Sequence, residues 1–170
     1  MTRHTLTIRD YAPGDFEAVF AINEASTPGV SQESQESLRQ ILSVGICRVA
    51  IGADGKVTGF INLVEPGTLA YGSDNLRWLE AWQEKTGRTQ IYVDRIALAE
   101  AARGQGVGPL LYEDAYQAFS DRDVITCEVN TLPNNPGSHR FHKRCGFEPI
   151  GEQVFKPGEK AVAYYARALR

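Results

Sequence analysis

Ile91-Tyr92-Val93-Asp94-Arg95-Ile96-Ala97-Leu98-Ala99, followed shortly by Arg103-Gly104-Gln105-Gly106-Val107-Gly108-Pro109, is the stretch on which the reading of this chain turns. The first part is apolar and rich in strand formers, so it predicts a β-strand from Ile91 to Ala99. The second part is a glycine turn. Beyond it, Leu111, Ala115 and Ala118, with Tyr112, Tyr116 and Phe119 beside them, predict a helix from about Val107 to Ser120. Glycines at 104, 106 and 108 let the backbone approach a ligand closely and adopt conformations that a side chain would forbid. A helix that opens there adds free N–H groups and the positive end of its dipole. Such a turn is an anion site suited to a phosphate or pyrophosphate. Pro109 suits the first helical turn, where a missing N–H costs nothing. The plainer reading is a tight strand-to-helix turn with no ligand. A Walker loop is excluded because no Gly-Lys-Ser/Thr follows. The dinucleotide fingerprint fails because position 111 is leucine.

Working outward, Thr5–Arg9 alternates as a strand does, and a helix over Asp15–Glu24 is capped near Pro13-Gly14-Asp15. Ser31–Leu42 reads as a second helix. Cys47–Ile51 and Val57–Val64 read as strands around Ala53-Asp54-Gly55-Lys56, where Asp-Gly is a strong hairpin signal. The stretch 65–90 reads as a loop with one short helix carrying Trp78 and Trp82. That helix either docks its tryptophan face on the sheet or forms a flap over an acceptor pocket. Val124–Val129 is a further strand. Ser138–Cys145 is a helix stopped by Gly146. Glu152–Phe155 and Ala161–Tyr165 are two last strands joined at Pro157-Gly158. The fold class is therefore α/β, with a mixed, mostly antiparallel central sheet of about six or seven strands flanked by helices. At 170 residues the expectation is a single domain over 1–170, with a helical flap insertion at about 66–90.

A formal net charge of -3 argues against non-specific nucleic-acid binding, which needs a basic face. It does not oppose an anion held locally by backbone dipoles. The three cysteines, Cys47, Cys127 and Cys145, are odd in number and widely spaced, which argues against a disulfide framework and for a reducing compartment. Met1–Leu6 carries no leader-like apolar segment, and no run approaches a membrane span. These features together predict a cytoplasmic protein with neither membrane nor nucleic-acid partners.

The glycine turn has a companion. Arg103-x-x-Gly106-x-Gly108, after a strand and before an amphipathic helix, resembles the acyl-CoA pyrophosphate loop of the GNAT (GCN5-related N-acetyltransferase) superfamily. Asn135-Pro136-Gly137-Ser138-His139-Arg140-Phe141-His142-Lys143-Arg144-Cys145-Gly146-Phe147 is similar to that superfamily's other signature. It has an asparagine, a small residue three positions later, an aromatic pair and a closing Gly-Phe. Two motifs in the right order and separation are far more specific than either alone. The resemblance implies that acetyl-CoA is the cofactor. The main chain of Ile96, Ala97 and Leu98 would pair with the pantetheine arm, between strands that splay apart. The turn Arg103, Gly104, Gln105, Gly106, Val107, Gly108 and Pro109 would take the pyrophosphate. Asn135, with Ser138, Phe141 and His142 of the same motif, would lie along the cofactor near its reactive end. The implied reaction is direct acetyl transfer to a small-molecule or peptide amine, and the family analogy alone suggests a homodimer. A non-catalytic acyl-CoA-binding regulatory module and an enzyme using a longer acyl-CoA are the alternatives.

One departure bears on catalysis. The family often has a tyrosine seven positions after the asparagine, whose hydroxyl protonates the departing thiolate. Here that position is His142, which is a candidate general acid or a group that orients the sulfur; otherwise it only packs. Deprotonating an amine calls for a carboxylate. Asp94 ranks first, Glu128 second, and Glu65 is a further candidate. Arg95 directly after Asp94 makes a structural ion pair the plainer reading there. His139, His142 and Cys145 are spaced by three, which suggests a metal site, but no fourth ligand is evident and the expectation is no metal.

Overall fold

The computed structural model describes residues 5–170, so the Met1–His4 part of the leader reading lies outside the described residues. In chain order the elements are β1 (Thr7–Asp10), α1 (Phe16–Ala25), α2 (Gln35–Val44), β2 (Ile46–Ile51), β3 (Val57–Val64), α3 (Asp74–Thr86), β4 (Gln90–Leu98), α4 (Val107–Ala118), β5 (Val124–Leu132), α5 (Pro136–Arg144), β6 (Glu148–Lys156) and β7 (Lys160–Ala168). The strands form one seven-stranded sheet in the order β1-β2-β3-β4-β5-β7-β6. β1–β2, β2–β3, β5–β7 and β6–β7 are antiparallel, whereas β4–β5 is parallel. The expected mixed, mostly antiparallel α/β sheet is therefore what the chain forms. The parallel ladder pairs Gln90, Ile91 and Tyr92 with Val124, Ile125 and Thr126. Beyond it β4 runs on to Leu98 and β5 to Leu132.

The chain divides into two compact units. The first holds residues up to Leu63 together with Asp94–Ala118. The second holds Val64–Val93 and Phe119–Arg170. β4 is shared, its first four residues in the second unit and the rest in the first.

In the first unit α1 and α2 bury Phe16, Val19, Ile22, Leu38 and Leu42 with Cys47, Val49, Phe60 and Ala97 of the strands. Each such leucine or phenylalanine contributes about 1.5–3 kcal/mol by leaving water. The entry to α1 is fixed by Asp15, whose carboxylate accepts from both terminal Arg9 nitrogens at 2.7 and 2.9 Å and from the Ala12 N–H at 2.8 Å. The Arg9 guanidinium holds that carboxyl below its usual range. α2 begins at Ser34, whose side chain accepts the Ser37 N–H at 3.0 Å, three residues later than the sequence pattern suggests. The β2–β3 hairpin turns at Gly55, with φ +79°. The buried face of α4 runs Val107, Gly108, Leu111, Tyr112 and Ala115; Ala118, expected in that stripe, is exposed at the helix end.

In the second unit α3 is a 13-residue helix, longer than the short segment expected. Ser73 caps its start and Gly87, at φ 72°, ends it. Its Leu76 and Leu79 enter a core with Val64, Tyr92, Val162 and Tyr164. Trp78 lies flat on the Tyr164 ring, with centroids 4.0 Å apart and planes at 9°. Such a stack adds about 0.5–1.5 kcal/mol to simple burial. Gly151 makes room for it, because a Cβ there would stand 2.5 Å from Trp78 Cη2. Trp78 thus docks on the sheet, while Trp82 sits under the Arg88 guanidinium at 5.9 Å.

Candidate functional site

In the first unit the glycine turn leaves β4 and opens α4. Arg103 to Gly106 are exposed, and Gly104 and Gly106 have φ of +76° and +79°. Those angles are strained for any residue with a Cβ, so glycine at both positions is a backbone requirement. Within α4 the first turn's N–H groups have no intrahelical acceptor by helix geometry, and Pro109 removes one of them. The Arg103 and Gln105 N–H groups already donate to the Glu100 and Ala102 carbonyls, at 3.2 and 3.3 Å, so the donors the loop offers are the main-chain N–H groups of its glycines and of Val107, at the positive end of a 12-residue helix. That donor set fits a pyrophosphate.

Upstream, Asp94, Ile96 and Leu98 alternate with the buried Arg95 and Ala97. The Asp94 side chain is only 2% exposed although the residue as a whole is half-buried, so the exposed atoms at this point of β4 are main chain. Exposed strand backbone is what a pantetheine arm would pair with. Gly59 of β3 allows the close approach here, since a Cβ would stand 2.7 Å from Leu98 Cδ2.

The Asp94 carboxylate is tightly held. Arg95 Nε donates to its Oδ2 at 2.7 Å and Asn62 Nδ2 donates to the same oxygen at 3.1 Å. Arg95, whose side chain is 4% exposed, also donates to Asn23 Oδ1 at 2.9 Å, to Ser31 Oγ at 3.1 Å and to the Ser31 carbonyl at 3.4 Å. Glu33 is 3.5 Å away. This cluster ties the α1–α2 connection to β4.

In the second unit Asn135 caps α5, and its side chain accepts from the Ser138 N–H. His142 is 3% exposed and lies between the ring edges of Phe141 and Phe147, both 5.1 Å away. Its Nδ1 is 2.8 Å from the Ser138 carbonyl oxygen, which can only accept, so Nδ1 carries a proton and donates. The Ser138 hydroxyl is 3.2 Å from the same nitrogen. Burial pushes the imidazole down to about 4, against a smaller upward pull from the Ser138 carbonyl. The ring is neutral at pH 7, so its second nitrogen carries a lone pair. His139 is used differently: Nε2–H donates to the Asn130 carbonyl at 2.9 Å, and the Tyr165 hydroxyl meets Nδ1 at 2.7 Å. Cys145 ends α5 half-buried, its carbonyl accepting from Arg167 Nε.

The other two carboxylates also lie in this unit. Glu65 is paired with both terminal nitrogens of Arg122, at 2.7 and 2.8 Å, and Arg122 also donates to the Gln90 carbonyl. Glu128, half-buried on β5, accepts from the buried Tyr92 hydroxyl at 2.7 Å. Its cross-strand neighbour on β7 is Tyr164, which puts both side chains on one sheet face. The sequence does not mark Tyr92 as a site residue. Nothing local signals its contact, which joins residues 36 positions apart.

With that geometry in hand, residues 16–147 match the acetyltransferase (GNAT) family, and the chain belongs to it. An acetyltransferase of Agrobacterium fabrum is 35% identical over 66 residues, covering 39% of this chain and 47% of that protein. The chain thus spans about half the length of that curated relative. Ard1 from Thermoplasma volcanium has TM-score 0.70 and 22% identity, covering 96% of this chain and 97% of that one. Arabidopsis thaliana NAA60 in complex with acetyl-CoA has TM-score 0.70 and 14% identity over 96% and 98%. At those identities the two structures speak to the fold alone.

Proposed function

We propose that this protein transfers an acetyl group from acetyl-CoA to an amine of a small molecule or peptide. The observation that carries this reading is the donor-rich turn Arg103–Gly108, with glycine at both positive-φ positions, in a chain of the GNAT family. Acetyl-CoA supplies an activated carbonyl. The turn's glycine and Val107 amides take its pyrophosphate, and the main chain of Ile96–Leu98 takes its arm. Within the second unit, the family resemblance makes Asn135, Ser138 and Phe141 candidate cofactor residues.

Among the carboxylates, Glu128 is the base. Asp94 and Glu65 are each committed to an arginine, and Glu128 is half-buried on β5 and accepts from the Tyr92 phenol. As the amine nitrogen bonds the acetyl carbon and the C–S bond breaks, the ammonium loses two protons, one to Glu128 and one to the departing sulfur. His142 orients that sulfur; a ring neutral above about pH 4, with Nδ1–H given to Ser138, has no second proton to donate.

No described helix is long and apolar enough to cross a membrane, and the cysteine usage supports a cytoplasmic setting. The family analogy supports a homodimer, which sedimentation at micromolar concentration checks. The test of the activity is release of free thiol from acetyl-CoA against a panel of primary amines. Thiol release for one amine class, lost in Glu128→Gln, supports the reading; release unaffected by that substitution removes Glu128 as the base.

A further inference from the structure

We propose that Tyr92 is a positioning residue that fixes the Glu128 carboxylate in place and keeps it ionised. The inference rests on the reading of Glu128 as the base. Tyr92 is fully buried, its ring held by Val64, Leu76, Leu79, Val162 and Tyr164. A ring packed on all sides cannot swing, so its hydroxyl is a donor at a fixed point. Tyr92 pairs with Thr126, the last rung of the β4–β5 ladder. Glu128 is two residues on, hence on the same face of β5 as Thr126. The Tyr92 hydroxyl reaches across to Oε2 at 2.7 Å just where the ladder ends.

A proton donated to a carboxylate favours its charged form. A base must be ionised before the amine arrives, and a half-buried carboxylate without such a donor drifts toward its protonated form. Tyr92 from β4 and Tyr164 from β7 are titratable groups that face Glu128, and Asp74 of α3 acts on the same Tyr164 phenol. The Tyr164 hydroxyl is within 2.8 Å of Asn75 Oδ1 and 2.9 Å of Gln153 Oε1, so its polar partners are on α3 and β6. Burial pushes that phenol up, with the Glu128 and Asp74 carboxylates adding to the effect. Tyr164 therefore stays protonated while Glu128 titrates, and adds no charge of its own.

The test is a carbon-13 NMR titration of the side-chain carboxyls in the free protein labelled at glutamate. The Glu128 resonance is identified by its loss in Glu128→Gln. In Tyr92→Phe the Glu128 midpoint rises by about one unit, the size expected for losing one hydrogen bond to a charged group. A tyrosine that merely clips the strands together lowers the melting temperature and leaves the midpoint in place, and that result overturns the proposal. If Tyr92→Phe does not fold, the Tyr92 ring-carbon resonance of the intact protein is read instead. It follows the Glu128 midpoint if the proposal holds, and ignores it if the proposal is wrong. The titration needs no acceptor, so its failure is separate from failure of the base reading, which Glu128→Gln decides by turnover.

Discussion

Asp94 and Glu128 are both strand carboxylates, and either can be read from the sequence as the base, yet their surroundings differ in kind. Asp94 accepts from Arg95 and Asn62, and the same guanidinium grips Asn23 and Ser31. Glu128 has a phenol on one oxygen and an aromatic neighbour across the strand. A carboxylate locked to a buried cation is costly to protonate and costly to move, so it serves to hold structure. A carboxylate held by a neutral donor can accept a proton without leaving a buried cation unpaired. The two settings predict opposite phenotypes, stability in one and rate in the other.

The sharpest way to break this contrast is at Arg95. Arg95→Met removes the buried cation from beside Asp94, so stability falls by about 3–5 kcal/mol in urea unfolding. A loss under about 1 kcal/mol would mean the cluster is not what holds the α1–α2 connection. Next is His142, which sets the acid boundary for any such comparison. Its folded value, about 4, lies below the ordinary value of 6.5, so between those pH values the unfolded chain binds the extra proton. Stability contributed by the neutral ring is complete above about pH 6.5 and is lost as pH falls toward 4. The loss reaches about 3 kcal/mol, and His142→Phe flattens that part of the stability-versus-pH curve. An unchanged slope would place the proton elsewhere.

At Glu128 the expected effect is on rate. Glu128→Gln lowers kcat/KM by about a hundredfold while acetyl-CoA affinity and melting temperature hold, the range typical of losing a general base. The matched Asp94→Asn variant should do the reverse, costing stability before turnover per folded molecule. The smallest effect is at Gly151. Gly151→Ala pushes a methyl into Trp78, which cannot retreat because it is stacked on Tyr164, and costs about 1–3 kcal/mol. A neutral result would show that α3 can slide off the face that carries Glu128.

Much of this was legible in the sequence where the signal is local. The Asp-Gly hairpin, the Gly146 stop and the Gly104/Gly106 turn announce themselves because a backbone angle demands glycine there. The adjacency of Arg95 to Asp94 already flagged the ion pair. α2 starts later than the pattern Ser31–Leu42 suggests because the Ser31 side chain is spent on Arg95 and Glu33. What could not be read was pairing at long range. Tyr92 with Glu128 and Trp78 with Tyr164 depend on strand register and on where α3 docks, and no local pattern encodes either. The neutral state of His142 depends on Phe141, Phe147 and the Ser138 carbonyl closing around it, which only the folded α5 reveals.

The central claim is that the turn at 103–108 binds the pyrophosphate of acetyl-CoA. Isothermal titration of acetyl-CoA into the intact protein and into Gly106→Val tests it most directly. The account predicts saturable binding by the intact protein and a loss of at least tenfold in affinity in the variant, with folding checked by circular dichroism. Equal affinity in a folded variant, or no binding by the intact protein, would contradict it.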